Sequence, residues 1–141
     1  MKKRYIVFAL VAVCALCALC ACSTSTSGSA NLGNDGTAEY KNDTITITLA
    51  GNETTGYAWT YSIDKGCVEC TTDEYKAESS SVATTGAPGT QTYVFKVSGA
   101  TEGKITFTYA RSWETNDDDT TCSIEFSSDS SGKVTSLTAI S

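Results

Sequence analysis

The chain has 141 residues, room for one ordinary domain, and its 16 acidic against 10 basic residues give a formal charge of −6. It has no histidine, which excludes the Ser/His/Asp and Cys/His hydrolase arrangements and any imidazole metal ligand within the chain. A single proline, 11 glycines and abundant Ser and Thr favour short strands and polar turns over long helices, and the acidity disfavours nucleic acid as a partner.

Lys2, Lys3 and Arg4 precede an apolar run from Tyr5 to Ala21, the charged and apolar regions of an export signal. The run is also close to the shortest membrane span, so ordinary cleavage and an uncleaved anchor are alternatives. It ends in Leu19-Cys20-Ala21-Cys22, which resembles the lipobox of bacterial lipoproteins. That resemblance implies removal of residues 1–21, lipidation of Cys22, and a lipid-anchored place in the bacterial cell envelope, facing the extracytoplasmic side. Residues 22–37, with STSTSGSANLGNDGT from Ser23 onward, have almost no apolar surface to bury and read as a flexible tether. Residues 38–141 then form the globular domain.

From Glu39 onward the apolar residues recur with period two. Thr44 to Leu49 places Ile45, Ile47 and Leu49 on one face, and Tyr57 to Ile63 does the same with Trp59, Tyr61 and Ile63. Tyr93, Phe95 and Val97 follow on Gln91 to Ser98. Ile105, Phe107 and Tyr109 lie on Lys104 to Ala110, after a short hairpin connection from Gly99 to Gly103. Thr121 to Ser127 carries Cys122, Ile124 and Phe126. Beyond the turn Asp129 to Lys133, Val134, Leu137 and Ile140 are less regularly spaced. Six or seven such short strands without a helical stretch predict an all-β, immunoglobulin-like sandwich.

Cys67, Cys70 and Cys122 remain in the domain. A disulfide from Cys122 to Cys67 or Cys70, free thiols, and a local bridge are all compatible with an odd count. Cys67-Val68-Glu69-Cys70 has neither a second CxxC nor a histidine to complete a zinc site. The acidic run Glu114 to Asp119 lacks the spacing of a calcium loop and reads as solvated, so no metal or cofactor is expected.

Three segments interrupt the alternation: Gly51 to Gly56, Ala83 to Thr90, and Ser112 to Thr120. In and directly beside them stand Asn52-Glu53-Thr54-Thr55-Gly56-Tyr57-Ala58-Trp59, Gly86-Ala87-Pro88-Gly89-Thr90 and Arg111-Ser112-Trp113. In this order they resemble the NPTTGY, GxGG-like and RPW loop motifs of the chagasin-like inhibitors of papain-type cysteine peptidases, over about Glu39 to Phe126. The resemblance implies an immunoglobulin-like fold of about seven or eight antiparallel strands and a non-enzymatic, monomeric inhibitor that occludes the peptidase cleft with a wedge of three loops. Asn52, Thr54, Thr55, Gly56 and Tyr57 would approach the catalytic cysteine. Gly86, Ala87 and Gly89 would offer backbone groups on one side of the cleft, with Trp113 covering the other and Arg111 bracing it. Glu53 and Ser112 stand where the family has proline, so both loops are expected to be less rigid. A different reading of the same sandwich is a cell-surface binding or adhesion module for an unrelated protein or glycan.

Overall fold

The computed structural model describes residues 25–78, 88–117 and 119–140. Among them are nine strands: β1 (Ser27–Asn31), β2 (Gly36–Lys41), β3 (Thr44–Gly51), β4 (Tyr57–Lys65), β5 (Val68–Ala77), β6 (Gly89–Val97), β7 (Glu102–Arg111), β8 (Thr120–Ser128) and β9 (Val134–Ile140). One sheet has the order β1-β2-β3-β6-β5 and the other β4-β7-β8-β9, with every neighbouring pair antiparallel. This is the expected all-β sandwich. Among the described residues no helix is long and apolar enough to cross a membrane.

The predicted inward faces form the core. Ile45, Ile47, Leu49, Tyr93, Phe95, Val97, Ile105, Phe107, Cys122, Ile124 and Phe126 are all buried, and Tyr93 and Phe95 pack against Phe107 across the sheets. Trp59 is buried as expected, whereas Tyr61 and Ile63, in phase with it, are 37% exposed. β4 is a sheet edge, and facing β5 is the edge of the other sheet, its register shifted between Cys70 and Thr72. Tyr61 therefore rests edge-on against Tyr93 and Phe95 at an open flank. In β9 the shift near Ser128 lets Val134 and Leu137 both reach the core, and Ile140 falls outside it.

Two further expectations are corrected. β6 and β7 belong to different sheets, so the segment from Gly99 to Gly103 is a sheet-to-sheet crossover rather than a hairpin. Gly99 takes it there at a φ of 64°. The segment expected to be a tether is largely folded: β1 pairs with β2 from Ser27↔Lys41 to Asn31↔Thr37, and Leu32 is wholly buried. Apolar content missed β1 because its inward positions are the small residues Gly28 and Ala30, and the Tyr40 ring lies over Gly28 where a Cβ would be.

The described cysteines are free, Cys67 exposed, Cys70 half-buried and Cys122 buried. The registers explain why Cys122 is not bridged to Cys67: it lies beside Phe107 near the start of β8, whereas Cys67 precedes β5 at the other end of the sandwich. Burial, with Asp35 nearby, pushes the Cys122 thiol up to about 11.

Candidate functional site

The registers place the three interrupting segments together. Gly51, at the end of β3, pairs with Gly89 at the start of β6, and Gly89 pairs with Ala77 at the end of β5. In the other sheet, Tyr57 at the start of β4 pairs with Arg111 at the end of β7. Loops β3–β4, β5–β6 and β7–β8 therefore leave the same end of the sandwich. Turns 42–43, 66–67, 98–101 and 129–133 occupy the other end.

The first loop is a short 3-10 turn, Glu53–Thr55, closed by its own side chains. Asn52 is the N-cap, its Oδ1 accepting from the Thr54 N–H at 3.1 Å and from the Thr54 hydroxyl. The Thr55 hydroxyl donates to the Asn52 carbonyl at 2.7 Å, and the Gly56 N–H donates to the Glu53 carbonyl at 3.0 Å. Gly56 ends the turn at a φ of 85°, a conformation natural to glycine. The threonine hydroxyls thus spend their protons inside the loop, and the Thr55 oxygen also accepts the Tyr57 N–H at 3.4 Å.

Two tyrosines fix this loop from below. The Tyr109 hydroxyl accepts the Asn52 N–H at 2.8 Å and donates to the Asn52 carbonyl at 3.3 Å. Tyr109 itself is packed between Tyr57 and Trp59, whose Nε1 donates to the Ala50 carbonyl at 2.8 Å. The Tyr75 hydroxyl accepts from the Glu53 N–H at 3.4 Å, a weak bond that proline at this position does not make. Neither tyrosine stands out in the sequence, because each sits in a strand like any other alternating residue.

The third loop begins at Arg111, whose guanidinium lies 4.6 Å from the centre of the Tyr57 ring and pairs with Glu114 at 3.2 Å. Trp113 is 71% exposed, yet its indole lies against the first loop: a Cβ on Gly56 would come within 2.5 Å of its ring. Bare backbone at Gly56 is what lets the indole lie there. Of the second loop, Gly86 and Ala87 lie outside the described residues. Gly89 is buried and already part of the ladder, under the Tyr75 hydroxyl, so it anchors that loop rather than presenting backbone from it. Among the described residues no group of three or more His, Cys, Asp or Glu converges as a metal site.

The sequence matches the family described as chagasin family peptidase inhibitor I42 over residues 40–126, well over half of the chain. The chain belongs to the chagasin family of peptidase inhibitors. The family match begins in β2 and ends in β8, so it contains all three loops and leaves β1 and β9 outside. Among solved structures, this chagasin-family chain is similar to the cysteine protease inhibitor EhICP2 from Entamoeba histolytica, with 31% identity over 57% of this chain and 75% of that one and a TM-score of 0.43. No curated protein matches it.

Proposed function

We propose that this chagasin-family chain is a reversible, non-covalent inhibitor of papain-family cysteine peptidases, occluding the active-site cleft with the three loops at one end of its sandwich. The carrying observation is the seat of Trp113 over Gly56, which joins the first and third loops into one ridge with an exposed aromatic face. A peptidase cleaves a segment it can hold extended, as in strand addition. The first loop is instead tied into a 3-10 turn by Asn52, Thr55 and the left-handed Gly56, a shape that resists being drawn out into a substrate. Tying the loop in advance also lowers the conformational entropy lost on binding. That internal bonding offsets the proline missing at Glu53.

In this reading Thr54, Thr55 and Gly56 fill the channel near the catalytic cysteine, and Trp113 covers the adjoining subsites as the main anchor. Residues 86–88 contribute from the second loop, and the chain performs no chemistry of its own. The lipobox-like Leu19 to Cys22 supports a lipid-anchored, extracytoplasmic location in the bacterial envelope.

Steady-state inhibition of papain and a cathepsin L-type enzyme by the domain tests the reading. Competitive inhibition is expected, and Trp113→Ala should weaken it by roughly 30-fold, the equivalent of a hot spot of about 2 kcal/mol. Gly56→Trp should weaken it further by unseating the indole. Full peptidase activity in the presence of micromolar domain would remove the proposal.

A further inference from the structure

We infer that the face of tight turns opposite the three loops rests on the lipid headgroups, with the loops held outward. The inference rests on the lipid anchor at Cys22 proposed above and adds how the anchor orients the domain.

The orientation follows from where the first described residues are held. The Asn42 N–H donates to the Thr26 carbonyl at 2.7 Å, and Ser27 pairs with Lys41. Both contacts fix the first described residues at the turn face, beside the β2–β3 turn. Only Ser23, Thr24 and Ser25 separate Cys22 from that fixed backbone. Even fully extended, the steps from Cys22 to Thr26 span at most about 14 Å. The eight residues of β3 run from this face to the loop face, a rise of about 25 Å. So short a link cannot bring the loops to the bilayer by turning the domain over.

The turn face is also built to be met as a unit. The Val134 N–H donates to the Asn42 carbonyl at 2.8 Å, the Ser98 N–H to the Cys67 carbonyl at 2.9 Å, and the Cys67 N–H to the Thr101 hydroxyl at 3.2 Å. Charge points the same way. Lys41, Lys65, Lys96, Lys104 and Lys133 lie at this end with Asp43, Asp64, Glu69, Glu102, Glu125 and Asp129, close to balance, and two ion pairs, Lys96–Asp43 and Lys65–Glu102, are formed there. At the loop end Asp35, Glu53, Glu78, Glu114, Asp117 and Asp119 outweigh Lys76 and Arg111. An anionic headgroup layer repels the second end and tolerates the first.

The test uses the full lipidated chain in vesicles of phosphatidylglycerol and phosphatidylethanolamine carrying a headgroup nitroxide that quenches indole fluorescence. Trp113→Phe gives the signal of buried Trp59 for subtraction. Ser130→Trp in that background puts an indole on the exposed 129–133 turn. Strong quenching at position 130 with Trp113 unquenched is the expected result. Comparable quenching at both positions, as for a domain lying on its flank, or stronger quenching of Trp113, would overturn the orientation and leave the anchor standing. If Ser130→Trp does not fold, Trp113 still decides: quenching of it overturns the inference. A wild-type chain that fails to sediment with vesicles would remove the anchor and the inference together.

Discussion

Tyr109 and Asn52 show how one hydroxyl can set the shape of a loop. The phenol meets both backbone groups of Asn52, one as acceptor and one as donor, from a ring immobilised by Tyr57 and Trp59. Tyr109→Phe keeps the ring and leaves the Asn52 N–H without this acceptor, a loss of about 1 kcal/mol in unfolding free energy by denaturant titration. Peptidase inhibition by this variant should weaken several-fold, because the first loop must then be ordered on binding. The cysteines give a second residue-scale prediction. Thiol titration of the native protein should find Cys67 reacting first and Cys122 only on unfolding. Cys122 also makes stability pH-dependent. Its folded pKa of about 11 lies above the unfolded value, so between about pH 9 and 11 the unfolded chain has lost a proton that the folded one keeps. Burial raises Tyr93 in the same direction. Stability should therefore fall as pH rises through that window, measured as melting temperature, and fall less steeply in Cys122→Val.

At the scale of elements, period-two alternation reveals the central strands and misses those with one weak face. β3, β6, β7 and β8 alternate apolar with polar residues and are read directly, each with its inward set correct. β5 is an edge strand with Glu69, Asp73 and Glu74 along it, and its register shift breaks the period at Thr71. β1 offers only Gly28 and Ala30 inward, so its alternation is one of size rather than hydropathy. The site divides similarly. The three loops are legible through their motifs, since glycine, threonine and tryptophan at fixed spacing stand outside the strand pattern. Tyr75 and Tyr109 are hidden, because a tyrosine whose hydroxyl meets a loop backbone looks in sequence like one that fills a core. β1 carries its own prediction. Leu32→Ala should lower unfolding free energy by about 2–4 kcal/mol, as for a fully buried leucine, whereas a residue in a true tether would cost nothing. Starting the domain at residue 38 should destabilise it further by removing Leu32 and the β1–β2 ladder together.

At the scale of the whole molecule, the fold separates two surfaces by the length of its strands, loops at one end and turns at the other. The flanks differ as well: β1 approaches β9 on one side, while β4 and β5 leave Tyr61 and Ile63 partly open on the other. Both strands of the open flank carry a register shift, one between Ile63 and Lys65 and one between Cys70 and Thr72, and bulges of this kind discourage pairing with another copy. Light scattering of the domain under reducing conditions should accordingly give the monomer mass, and a dimer would point to this flank.

The direction of β1 has a mechanical consequence. It starts at the turn end, where the chain would leave for its anchor, and runs toward the loops in antiparallel pairing with β2. A partner that grips the loops while the anchor holds the other end would pull β1 along its own axis. Its five paired positions would then carry the load together in shear rather than opening one after another from the end.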